Sequence, residues 1–349
     1  MAEKQTTRRG FLKAASADAV GAALTSARAA EAPKAVDTSK ILNYNPKMGY
    51  RRLGKTDIMI SEVSLGGHGG SGVENRAQVL TRAAELGVNY LDTNIVGENA
   101  LYGEALRGDR NKWHIGFASW PEKITPDGEK ALTRDGMIRE IEGRLKHYKT
   151  DVLDIWRPVG ATWGPGQNSL GSLLMISRRA LDLVVEVFET VRKQGKVRWL
   201  GVSAHNPKVF ELVLNHYPQF SVIIFPYVFL TKDFGGDSLL ELAKKKDVGV
   251  IGLKPFGAGA VFGVRPNELK GAFDPNAHVL VKRMLQEPRL SAIIPGVNTI
   301  PQLEENVRGS YERDKPLSRR ERDILRQAAD RYYAHLAPEY QWLRAWETV

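Results

Sequence analysis

The feature that most constrains this chain is an alternation, repeated eight times, between short apolar runs and stretches patterned at 3.6-residue spacing. The apolar runs are 60–66, 88–92, 113–118, 152–157, 198–203, 221–226, 248–253 and 291–295. The intervening helical patterns are 75–86, 98–106, 133–147, 179–194, 207–216, 238–246, 276–286 and 300–307. Strands without a polar face need cover on both sides, which predicts a parallel sheet flanked by helices. Eight such units over roughly 250 residues predict a (β/α)8 TIM barrel. An open doubly wound sheet is the alternative, but its GxGxxG fingerprint after the first strand is absent. Segments 50–53 and 58–60, joined at Gly54-Lys55-Thr56-Asp57, predict an N-terminal β-hairpin closing the barrel's bottom. Ser318 and Glu321 form a capping-box pattern, so a C-terminal helix is expected to run to about Tyr333.

The N-terminus has a different character. Thr6-Thr7-Arg8-Arg9-Gly10-Phe11-Leu12-Lys13 places paired arginines before a small-residue stretch, and Ala27-Arg28-Ala29 supplies small residues at a cleavage position. This resembles a twin-arginine export signal, a receptor-read address rather than an anchor. The partner implied is the twin-arginine export machinery, and the location is periplasmic or otherwise extracytoplasmic. The expected organisation is a signal at 1–29, a polar linker at 30–47, the barrel at 48–335 and a tail at 336–349. No run approaches the ~20 apolar residues of a membrane span.

The formal net charge is +10 and the pI about 9.6. The first 29 residues hold five basic groups against two acids, so the barrel itself is only mildly basic. Its charges are interspersed and no basic stretch alternates with aromatics, which argues against a nucleic-acid partner. There is no cysteine. That excludes disulfides, thiolate nucleophiles and cysteine-ligated zinc or an iron–sulfur cluster.

In a barrel the site gathers at the strand C-termini. The residues placed there are His68, Asp92, 118–120, Arg157, Ser203, His205, Tyr227, Lys254 and 296–299. Asp92 ends a buried strand, and a desolvated acid needs a partner. Asn94, Arg157 or a loop amide are the candidates. The long glycine-containing loop after 152–157 is a lid candidate.

These residues carry a resemblance. YRRLGKTDIMISEVSLGG, AAELGVNYLDT, RKQGKVRWLGVSAHNP, VGVIGLKPFGAGAVFG and IIPGVNTIPQLEENV, in this order, resemble the aldo-keto reductase family over about residues 49–310. The resemblance implies carbonyl reduction with NADPH by an Asp–Tyr–Lys–His tetrad in which the tyrosine is the general acid. Asp92 fits the aspartate. Gly97, Ala118 and Val159 stand where the tyrosine, lysine and histidine are expected, so the tetrad is degenerate. A positioned general acid contributes about 10²–10⁴-fold, and its loss predicts impaired carbonyl reduction.

For the nucleotide, NADP or NAD, the resemblance implies Ser203 at the carboxamide and Lys254 at the pyrophosphate. It implies Gln302, Glu305 and Asn306 at the adenosine. Gly296 and Asn298 line the loop before Thr299, where no cation is present for a 2′-phosphate. Thr299 and Gln302 form a capping box, so a helix N-terminus faces this loop.

Three function classes follow. One is an exported oxidoreductase-like protein with a partly kept nucleotide site. Another is a non-catalytic barrel binding a nucleotide, a carbohydrate-like ligand or a partner protein. The last is a hydrolase or lyase using Asp92, His68 and His205, since histidine titrates near neutrality and ligates metals; no metal ligand set is assigned.

Overall fold

The computed structural model describes residues 37–67, 72–94, 96–119, 133–160, 178–205, 207–231, 239–265, 268 and 273–346. The segment read as an export signal, most of the expected linker, His68, Trp120 and the body of the lid candidate lie outside the described residues. The chain divides into two compact units, Met1–Thr38 and Ser39–Val349, and the barrel lies in the second.

Strands β1 (Tyr50–Arg52) and β2 (Met59–Ser61) pair antiparallel as the expected hairpin. Seven parallel strands follow in chain order within one sheet. They are β3 (Tyr90–Thr93), β4 (His114–Ser119), β5 (Leu153–Gly160), β6 (Val197–Ala204), β7 (Phe220–Pro226), β8 (Gly249–Leu253) and β9 (Ala292–Ile294). The eighth position is filled by residues 63–66, which pair through single bridges rather than a continuous ladder. Val63 bridges Ile293 and Gly66 bridges Gly296 on one side, while Leu65 bridges Leu91 on the other. The Leu65 N–H donates to Tyr90 C=O at 3.0 Å and the Asp92 N–H to Leu65 C=O at 2.9 Å. Ser64 N–H donates to Ile293 C=O at 3.0 Å, so this segment joins the two sheet edges and closes the barrel.

The covering helices are α1 (Gly72–Glu85), α2 (Val96–Ala105), α3 (Arg134–Tyr148), α4 (Arg178–Lys193), α5 (Pro207–His216), α6 (Leu239–Lys245), α7 (Ala277–Leu285) and α8 (Ile300–Tyr311). Helix α9 (Arg319–His335) starts at the Ser318–Glu321 capping box, with both reciprocal bonds present. The core has two layers. The larger cluster lies between strands and helices, and the smaller fills the barrel interior with Tyr90, Ile155, Val222, Ile224, Ile251 and Ala292. Leu53 and Ile60 of the hairpin complete that inner cluster. The Lys55 N–H donates to Asp247 C=O at 2.8 Å, and Arg52 forks onto the Asp247 carboxylate at 2.6 and 2.8 Å. The hairpin therefore plugs the bottom and leaves the C-terminal end of the barrel for the site.

No helix among the described residues is long and apolar enough to cross a membrane.

Candidate functional site

Asp92 is the penultimate residue of β3, and its side chain points into the barrel with that of Tyr90, because alternate strand residues share a face. The Tyr90 hydroxyl donates to Asp92 Oδ2 at 2.7 Å. Arg157 completes the cluster from β5. Its Nε donates to both Asp92 oxygens, at 2.8 and 3.0 Å, and its Nη2 donates to Asp92 Oδ1 as well. The Arg157 Nη1 donates to Ser203 Oγ at 2.8 Å, and Nη2 also to Thr93 C=O at 3.2 Å. The carboxylate side chain is 1% exposed and the guanidinium side chain 8%.

Such a pair is tolerated in a barrel interior because its lone pairs and N–H groups are nearly all used. Burial alone would lower the Arg157 pKa, but the Asp92 charge and hydrogen bonds outweigh it and leave it raised. The Tyr90 phenol is pushed well above its ordinary value, by burial first and then by the Asp92 charge beside it. Tyr90 is fully buried below Asp92 and presents no proton to the cavity.

Small residues on β4 make this reach possible. Asp92 pairs in register with Gly116, and Ala118 pairs with Arg157. A β-carbon at Gly116 would lie 2.0 Å from Tyr90 Oη and 2.5 Å from Asp92 Oδ2.

The loop after β3 is capped by a different acid. Glu98 Oε2 accepts from the Asn94 N–H at 2.9 Å. Of the three candidate partners for Asp92, Arg157 holds it in an ion pair across the barrel. Gly97 is exposed on the first turn of α2. Tyr102 is 1% exposed and its hydroxyl donates to Gly66 C=O at 3.3 Å, so it is packed away behind the segment 63–66.

Above the ion pair opens a cavity of about 620 Å³, a size ordinary for a small-molecule site. Of the residues singled out in the sequence, Asp92, Arg157, Ser203, His205, Lys254, Gly296, Asn298, Gln302, Glu305 and Asn306 all line it. His68 lies outside the described residues. Tyr227 instead packs edge-on against Phe225, with ring centroids 5.9 Å apart.

Several lining groups are already engaged. Gln302 Oε1 accepts from the Asn298 and Thr299 N–H groups at 2.8 and 3.2 Å, and Thr299 Oγ1 accepts from the Gln302 N–H at 3.4 Å. The reciprocal capping box engages the Asn298, Thr299 and Gln302 N–H groups at this helix end. What α8 still offers an anion is its dipole. Glu305 is hydrogen-bonded to His278 Nδ1 on α7.

The tail contributes to the wall. Tyr340 lines the cavity from the 3₁₀ segment Pro338–Trp346, and its ring lies 5.0 Å from Lys254 Nζ. Trp342 stacks on His205, with centroids 3.8 Å apart and planes at 17°. Burial lowers the Lys254 pKa to about 8. Burial first, and then the charge of Lys254, lowers His205 to about 3, so its imidazole is neutral. Among the described residues no group of three or more His, Asp or Glu side chains could hold a metal.

The aldo/keto reductase family model matches residues 63–277. The chain belongs to the aldo/keto reductase family. It is 23% identical over 307 residues to the oxidoreductase YqkF of Bacillus subtilis, covering 76% of this chain and 92% of that one. It is 25% identical over 309 residues to L-galactose dehydrogenase of Arabidopsis thaliana, covering 75% and 88%. The holo form of aldo-keto reductase AKR11C1 from Bacillus halodurans superposes with a TM-score of 0.61 at 21% identity, over 80% of this chain and 96% of that one. A likeness at that identity carries the fold. For an aldo/keto reductase, the cavity at the strand C-termini is the expected location of cofactor and substrate.

Three features of this site escaped sequence reasoning. Tyr90 stands two residues before Asp92, so the period of a strand already placed it on the same face. Glu98 is adjacent to Gly97 but was hidden by attention to phenols. Tyr340 and Trp342 lie in a short aromatic-rich tail with no periodicity, and composition was their one signal.

Proposed function

We propose that this aldo/keto reductase is exported by a twin-arginine signal, keeps a partial site for NADP or NAD, and is impaired in ordinary carbonyl reduction. The observation that carries the reading is the Asp92–Arg157 pair. It fills the base of the cavity with a fixed charge pair, whereas Gly97, Ala118 and Val159 have no proton to give. An arginine stays protonated across the working pH range and so cannot act as the acid of a reduction.

The residues fit a dinucleotide in part. Lys254 is a cation at the cavity wall for a phosphate, Asn306 lines the adenosine end, and the α8 dipole favours an anion. When bound, the nucleotide would supply a hydride; the chain's own residues would bind and orient it. Ser203 is committed to Arg157, and Gln302 and Glu305 to the partners described above. Each contact so diverted weakens binding, by about 1.5–3 kcal/mol where it is charge-assisted. A non-catalytic nucleotide-binding barrel is the neighbouring reading, favoured by the same ion pair.

Fluorescence titration of the purified protein with NADPH and NADH tests the cofactor claim; no saturable signal with either would remove it. Lysine at both Arg8 and Arg9 should stop export in a cell-fractionation assay, and unchanged export would remove the localisation.

A further inference from the structure

We propose that Lys254 is a carbonyl-capturing amine, and that the cavity admits a small aldehyde or ketone that condenses with its Nζ to form an imine. Three acids line the cavity, Asp92, Asp274 and Glu305. Asp92 is held by Arg157, Asp274 lies 3.6 Å from Arg331, and Glu305 is bonded to His278. Among the described residues none of these carboxylates is left for Lys254. Its partner is the face of Tyr340, and no acidic group among the described residues offsets its desolvation. The backbone adds a second observation. Lys254 has φ +56° and its carbonyl accepts from the Gly257 N–H at 2.9 Å, just before Pro255. A left-handed lysine is strained where glycine or asparagine would fit more easily, so the side chain has value at this place.

A site meant only for an anion is served by any permanent cation, and arginine serves it better. A desolvated ammonium beside aromatic rings sheds its proton close to neutrality, and the free amine is then a nucleophile toward carbonyl carbon. In the condensation the amine lone pair forms the C–N bond. The carbonyl oxygen leaves as water, carrying the two protons of the neutral amine. No oxidant or reductant is needed. The imine site shares Lys254 with the nucleotide reading, and a phosphate bound there would hold the amine protonated and shield it.

The test is reductive trapping on the full chain, with propanal as probe and cyanoborohydride as reductant, followed by peptide mapping. Near neutral pH, Lys254 should be propylated roughly tenfold faster than exposed Lys245. Its rate should level off as the pH rises past about 8. A Lys254→Arg variant should lose the fast site. Labelling of Lys254 no faster than Lys245, with an unchanged circular dichroism spectrum, overturns the proposal. Parallel samples with NADH separate the two readings. Fast labelling that bound NADH suppresses supports both. Fast labelling with no NADH binding supports the imine site and removes the nucleotide site. NADH binding with slow labelling removes the imine site alone.

Discussion

Arg157 grips Asp92 across an intervening strand: the aspartate is on β3, the arginine on β5, and the two meet above Gly116 and Ala118 of β4. Asp92 ends up as the anchor of a four-membered cluster with Tyr90, Arg157 and Ser203. Ala118, the position that resemblance assigns to a lysine, pairs in register with Arg157.

Removing one partner of a buried pair strands the other. Arg157→Ala should destabilise the barrel by about 3–5 kcal/mol, read from urea unfolding. The double variant Asp92→Leu/Arg157→Met should lose much less than the sum of the single changes. Additive losses would mean that the pair is not coupled as its geometry requires.

Gly116→Ala should also destabilise, because its β-carbon meets Tyr90 Oη and Asp92 Oδ2 at sub-contact distances. Overpacking of this kind costs about 1–3 kcal/mol. Adding Tyr90→Phe deletes the nearer atom, so the combined variant should regain part of the loss. A melting temperature for Gly116→Ala equal to that of the parent would contradict the account.

Acid stability has a specific source at the other end of β5. Asp154 is fully buried; burial would raise its pKa, but His114 nearby, the charge of Arg110 and the bond from the Ile115 N–H outweigh this and lower it to about 2. Arg110 Nη2 lies 2.7 Å and Arg198 Nη1 2.6 Å from its carboxylate. A folded-state pKa below the unfolded value adds stability above the unfolded pKa, and that stability is lost as pH falls through the folded one. Asp154 should therefore contribute about 2 kcal/mol at neutral pH, vanishing between about pH 4 and pH 2. Asp154→Asn should flatten this part of the stability–pH profile. An unaltered slope would show that other carboxylates carry it.

Steady-state turnover of an aldehyde and quinone panel with NADPH should stay below about 1 s⁻¹, the low end of typical enzymes. Val159→His alone should do little, since residues that act as a unit are strongly non-additive. Turnover above that level would require a proton donor other than the side chains at 97, 118 and 159, and would remove the claim of impaired chemistry.

The barrel was legible in the sequence because it follows from local pattern. Apolar runs such as 221–226 and 248–253 and the helical spacing of 179–194 are properties of neighbouring residues, and capping boxes at Thr299 and Ser318 span three positions. The exception at residues 63–66 is instructive, since a strand that closes a ring depends on partners distant in sequence. The candidate residues were legible as a set for the same reason: the C-terminal ends of consecutive strands must converge in a closed parallel barrel.

What each residue does there was decided by tertiary structure. The sequence placed Asp92 at a strand end and offered three partners for it; only the register of β3, β4 and β5 put Arg157 within reach and left Gly116 as the gap between. It marked Gln302 as both a cap and a ligand, but side-chain geometry committed its oxygen to two backbone amides. Lys254 was an ordinary lysine until the tail folded back and laid Tyr340 over it. Desolvation and pairing depend on everything that surrounds a group, and those surroundings come from segments up to the whole chain length apart, so pattern along the chain locates the charges while packing sets their chemistry.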